Sequence, residues 1–158
     1  MKLNVDGVEY DINESMEGAA LGDLMNLKIK TRRPEDKEME IPKFLGVTVP
    51  FIRDVFRDLG DRVLTAAAEE EEAEKLAEAG TPLENPPEGF DYVELLGDER
   101  FLDAMTGLVY LARRKAGDNI EVADAARTGF NSVQMVPDED EVEADPKDEP
   151  AVEPPEIL

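Results

Sequence analysis

The sequence predicts a mainly α fold with a small N-terminal β-hairpin (α+β), in which helices supply most of the core. Three observations carry this. Near the start, alternating apolar residues flank a tight-turn dipeptide, Asp6-Gly7. Further on, several stretches repeat apolar residues at helical spacing. From Pro137 onward the composition becomes acidic and Pro-rich, so the folded part is expected to end near residue 136. The expected organisation is therefore a helical domain over 1–136, with mobile segments around 31–46 and 62–89, and a disordered acidic tail over 137–158.

Residues 2–12 read as the hairpin. A two-residue turn needs positive φ, which Gly supplies freely, so Asp6-Gly7 sets the register. Val5 then faces Val8 and Leu3 faces Tyr10 on an apolar side, with Lys2 opposite Asp11 and Asn4 opposite Glu9. Such a hairpin is unstable alone, so its apolar side must rest on helices. Residues 14–30 read as one helix, with Met16, Ala20, Leu24 and Leu27 on a buried face that Leu21 and Met25 widen. Gly18 and Gly22 weaken it, and mark either a close approach of another element or a broken start. Residues 31–46 read as a polar loop with Pro34 and Pro42, and Ile41 to Val49 as an extended stretch.

Residues 50–59 read as a short amphipathic helix, with Pro50 in its first turn, Thr48 or Val49 as cap, and Gly60 as stop. Its apolar face is Phe51, Ile52, Val55, Phe56 and Leu59. Residues 62–79, rich in Ala and Glu, read as a solvated, partly helical arm, because little there is large enough to bury. Gly80 to Gly89 reads as a linker. Residues 98–116 form the strongest helix: Asp98 is the N-cap, Gly117 the stop, and Phe101, Leu102, Met105, Leu108, Val109 and Ala112 share about one third of the circumference. Residues 120–128 read as a short helix and 131–136 as extended.

Composition narrows the function. The 158 residues carry a net charge of -22, of which -9 falls in residues 137–158. Phosphate backbones and anionic membranes repel such a chain, whereas solubility and basic protein partners are favoured. There is no Cys and no His, which removes disulfides, thiolate chemistry, and the commonest general base and metal ligand. No apolar run is long enough to span a bilayer, and the first residues lack the apolar core of a signal peptide, so a cytoplasmic location is expected. Carboxylate pairs abound among 39 acidic residues, but none lies in an apolar run that would raise its pKa, and the stretch Asp138-Glu139-Asp140-Glu141 lacks the spacing and Gly of a calcium loop. The expectation is a binding protein rather than an enzyme, with no cofactor and no metal.

Two features of residues 98–116 stand out as candidate partner contacts. Tyr110 lies opposite the apolar stripe, between Gly107 and Arg114, and Tyr and Arg are frequent hot-spot residues. The competing reading is a central helix, with Tyr110 packed under another element. Arg113, Arg114 and Lys115 form a local basic cluster, which also complements the helix dipole and can pair with Asp118. As a binding surface, Tyr110 and Arg114 would tolerate joint replacement by Ala; as core, they would not.

The run Gly107-Leu-Val-Tyr-Leu-Ala-Arg-Arg-Lys-Ala-Gly117, then Ile120-Glu-Val-Ala-Asp-Ala125, then an acidic Pro-rich end, all after an N-terminal hairpin, resembles the tail assembly chaperones of long-tailed (siphovirus-type) bacteriophages. The specific part is about 98–126. The resemblance implies a protein that coats the tape measure protein, helps recruit tail tube protein, self-associates on its partner, acts in the host cytoplasm and is absent from the finished virion. It also implies the short form of a pair made by ribosomal frameshifting. The Ala/Glu-rich 62–79 and the linker after it depart from the family pattern. The alternative is an acidic inhibitor or DNA mimic that binds a basic host protein.

Overall fold

The Asp6-Gly7 turn organises the N-terminus as read. In the computed structural model, which describes residues 1–33 and 44–138, β1 (Lys2–Val5) and β2 (Val8–Asp11) pair antiparallel in the expected register. Asp6 and Gly7 both have positive φ, and Gly7 N–H donates to Asn4 Oδ1. The hairpin does not rely on helices alone. A third strand, β3 (Val133–Val136), pairs antiparallel with β1, giving the order β2-β1-β3. Leu3 and Val5 are buried beneath this sheet, while Val8 is exposed at its edge.

Residues 14–30 are two helices. Asp11 ends β2 and caps α1 (Ile12–Glu17) by accepting from Glu14 N–H. The chain breaks at Gly18 and restarts as α2 (Leu21–Thr31). Gly18 N–H closes the last turn of α1 on Glu14 O, and a Cβ on Gly18 would meet that carbonyl at 2.8 Å and the Lys115 ammonium at 2.5 Å. Gly22 meets nothing, so it marks no close approach. Ala20 becomes the N-cap, and Leu21 and Met25 turn outward rather than widening the buried face.

The next helix runs far past Gly60. Thr48 Oγ1 accepts from Phe51 N–H at the start of α3 (Val49–Glu78), which is 30 residues long. Gly60 lacks positive φ and has open space around it, so it costs the helix only about 1 kcal/mol, which the Ala-, Glu- and Leu-rich sequence beyond it outweighs. The stop is Gly80, at φ +84, where Thr81 N–H donates to Leu76 O and Gly80 N–H to Ala77 O. The segment 62–78 is thus one continuous helix with 49–61, not a separate arm. Its base is held by Arg62, which pairs with Glu94 and Asp98 and lies over the Phe90 ring. After Gly80 the chain folds back along α3, with Leu83, Asn85 and Pro87 flanking the buried Ala73. A 3-10 turn (Tyr92–Gly97) leads into the central helix.

That helix, α4 (Glu99–Lys115), is capped by Asp98 and stopped at Gly117 as expected. Its burial is wider than one stripe. Ala104, Gly107, Tyr110 and Leu111 are buried as well as Phe101, Leu108, Val109 and Ala112, while Leu102 is partly exposed. Helices α1, α2, α3 and α5 (Val122–Ala126) all pack against it. Gly107 marks the tightest crossing: a Cβ there would meet Val47 Cγ1 at 2.6 Å, Ile52 Cδ1 at 3.1 Å and Leu27 Cδ2 at 3.4 Å. The middle of the expected polar loop, 34–43, and the expected disordered tail from 139 lie outside the described residues.

Candidate partner-binding surface

Helix α2 carries apolar residues on two sides, and the fold can cover only one. Four contacts set its rotation. Leu27 is fully buried against α4. Asn26 Nδ2 donates to the Tyr110 hydroxyl at 2.8 Å. Asp23 accepts from Arg114 Nε at 2.9 Å. Thr31 Oγ1 donates to Leu27 O at 2.6 Å and accepts from Val47 N–H at 2.7 Å. With that side fixed inward, Leu21, Met25 and Ile29 point outward, 81%, 57% and 61% exposed. Their spacing of four places them in one row along the helix.

The strand-like stretch Phe44–Thr48 extends this row. Gly46 has φ +96, and a Cβ there would sit 2.1 Å from Lys28 O, so the backbone lies directly on α2. Alternation along the extended chain then sends Val47 into the core and leaves Leu45 60% exposed. Met25, Ile29 and Leu45 line a shallow groove of about 330 Å³ with Lys28 and Arg32 at its sides. Among the described residues, Lys28, Lys30 and Arg32 have no ion-pair partner, and the single acid of α2, Asp23, is engaged by Arg114. Scattered exposed apolar residues are normal on any protein; a contiguous apolar row with unpaired charge beside it is the kind of patch that marks an interaction surface.

The contacts expected from sequence fall elsewhere. Tyr110 is 1% exposed, with its hydroxyl accepting from Asn26, so it presents no surface to a partner. The central-helix reading holds for it. Arg113 pairs with Asp118 at 3.2 Å, and Arg114 bonds both Asp23 and Asn119. Lys115 remains exposed, with its ammonium over Gly18. The cluster is therefore spent mainly on internal contacts at the end of α4, and the structure does not gather Tyr110, Arg113, Arg114 and Lys115 into one face. The residues that do form a face are Leu21 and Met25, which helical spacing alone puts on the buried side, and Ile29 and Leu45, which it does not single out. The signal that could have found them is the second apolar row of α2, offset from Leu24 and Leu27.

Other concavities are less suited to a partner. A cleft of about 510 Å³ between α2 and α5 is lined by Lys30, Arg32, Arg33, Asp103 and Glu121. Arg33 Nη2 donates to Asp103 at 2.7 Å there. Burial pushes the Asp103 carboxyl above its ordinary value, and Arg33 only partly opposes the rise. Among the described residues no group of three acidic side chains is placed to hold a metal ion, and no helix is long and apolar enough to cross a membrane. A search against known protein families, characterised proteins and solved structures finds no match to this chain.

Proposed function

We propose that this protein is a tail assembly chaperone of a long-tailed bacteriophage, one that binds the tape measure protein and keeps it soluble until the tail tube assembles on it. The observation that carries the reading is the α2 row: an exposed apolar face, fixed in place by α4, on a strongly acidic body. A protein that holds an aggregation-prone chain needs a modest apolar contact and high charge elsewhere. Many copies along one long partner then gain avidity from weak single contacts. Tail tube protein would be recruited to the coated partner, and copies would self-associate only there. The likeness of the run from Gly107 to Ala125 supports this family, and the Ala/Glu-rich 62–79 with the Pro-rich linker after it departs from its pattern.

The test is co-expression with a phage tape measure protein. The expected result is a soluble complex that survives purification. A tape measure protein that stays insoluble and unbound overturns the reading. The acidic-inhibitor alternative draws on α3, whose outer half exposes Glu69, Glu70, Glu71 and Glu72. It requires salt-sensitive capture of a nucleic-acid-binding host protein, competed by duplex DNA.

A further inference from the structure

We infer that the α2 row is a docking site for an amphipathic helix whose apolar ridge is flanked by carboxylates. This rests on the protein-binding reading above and names the chemistry of the segment that is bound. Geometry gives the form of the occupant. Leu21, Met25 and Ile29 make a ridge, and Leu45 stands beside it as a second wall, so the trough between them accepts one row of side chains. The row from Leu21 to Arg32 covers about 16 Å of helix, enough for roughly three turns of a partner helix. Met25 at its centre adapts to differing side chains.

Charge gives the partner its sign. The whole chain carries -22, which at long range favours cations. The groove itself is edged by Lys28 and Arg32, with Lys30 close by in sequence and no free acid on α2. At physiological salt, exposed charges beyond about 8 Å are largely screened, so a docked helix feels the adjacent cations more than the distant acids. Flanking Glu or Asp side chains then complement the site, and flanking Lys or Arg side chains meet like charge at contact distance. A second copy of the chain does not suit the groove. Four side chains fall well short of the roughly 800 Å² per partner of a stable dimer, and two such acidic bodies repel.

The experiment titrates the intact ¹⁵N-labelled protein with two synthetic 18-residue helical peptides. They share a Leu ridge and differ only in Glu or Lys flanks. The Glu peptide is expected to shift the amides of 21–32 and 44–47 and to bind at least tenfold tighter than the Lys peptide. Met25→Ser with Ile29→Ser, both at exposed positions, should weaken it tenfold or more with the thermal midpoint unchanged. Lys28→Glu with Arg32→Glu should reverse the preference, a result that loss of folding cannot mimic. Equal or tighter binding of the Lys peptide overturns the inference, as do shifts confined to other surfaces. It is also overturned if the groove responds only after residues 34–43 are replaced by a Gly-Ser linker, since the chain would then be its own occupant. The outcomes separate from the chaperone test. Tape measure protein held equally well by the Met25/Ile29 variant leaves the chaperone reading standing and removes the groove; peptide docking without tape measure binding does the reverse.

Discussion

At the scale of single residues, two glycines do different work. Gly46 and Gly107 both lie where elements touch α2 or α4, but what a methyl group would meet differs. At Gly107 it meets side-chain ends, chiefly Val47 Cγ1 at 2.6 Å, and side chains can give a little. Gly107→Ala is expected to cost about 1–3 kcal/mol, the usual range for overpacking a core. At Gly46 the obstacle is the Lys28 carbonyl at 2.1 Å, and the residue also holds φ +96. Backbone cannot step aside, and the left-handed conformation adds about 1 kcal/mol or more for any residue with a Cβ. Gly46→Ala should therefore be the more destabilising of the two in urea unfolding; the reverse order would mean that the 44–48 crossing is not as tight as described. Tyr110 belongs to the same scale. Joint replacement of Tyr110 and Arg114 by Ala opens a core cavity, orphans Asn26 and frees Asp23, so the fold itself should fail rather than a surface contact. A variant with native far-UV and near-UV circular dichroism would contradict that.

At the scale of elements, local signals were legible where one residue decides them. The Asp6-Gly7 turn, the Thr48 and Asp98 caps and the Gly117 stop follow from short-range chemistry, and all are present. Signals that depend on competition were not. Gly60 reads as a stop only if the sequence beyond it cannot propagate helix, and Ala66 to Glu78 propagates it well. Because Gly60 is helical and open, Gly60→Ala is expected to stabilise the protein by about 0.5–1 kcal/mol, read as a higher urea midpoint. A loss of stability would place a bend or a contact at that position. The contact of Arg33, just past α2, with Asp103 on α4 offers a second test. The folded-state pKa of Asp103 lies above its ordinary value because of burial, with Arg33 opposing. The native state therefore binds the proton more readily than the unfolded chain. This contribution is present below the ordinary carboxylate range and is lost as pH rises through the raised value. Asp103→Asn keeps an oxygen for Arg33 and removes the titration. It should leave the neutral-pH midpoint equal or higher and make the slope of stability against pH just above the ordinary carboxylate range more positive. An unchanged slope would remove Asp103 from the pH response.

At the scale of the whole molecule, the fold class was readable because it depends on summed patterns: one hairpin and a set of helices around the apolar run at 101–112. The candidate surface was not, because exposure is a tertiary property. Leu21 and Met25 look like core in any helical projection that includes Leu24 and Leu27. The buried Leu27 and the anchors Asn26–Tyr110, Asp23–Arg114 and Thr31–Val47 decide which of the two rows turns inward. Sheet closure was illegible for a related reason, since β3 joins β1 from more than 120 residues away and its four residues carry no turn signal toward it.

The net charge of -22 acts on all of this at once, and it couples the salt response of the fold to that of docking. Most described ion pairs, such as Arg53–Glu17 and Lys75–Glu71, are exposed and contribute little, while the excess of carboxylates repels throughout the body. Raising the ionic strength from about 0.01 M to 0.15 M shortens the screening length from about 30 Å to 8 Å, which relieves that long-range repulsion first. The thermal midpoint should therefore rise with sodium chloride over this range. A fall would mean that paired charges, Arg114–Asp23 foremost, hold the fold more than the excess strains it. Docking of a carboxylate-flanked helix on Lys28 and Arg32 depends on contacts of a few ångströms, which outlast the screening of the body's long-range repulsion, so its affinity should rise over the same interval while that of a Lys-flanked helix falls. Measured on one preparation, opposite salt slopes for the Glu- and Lys-flanked peptides separate a local basic site from the acidic body that carries it, and a falling affinity for both would dissolve the distinction.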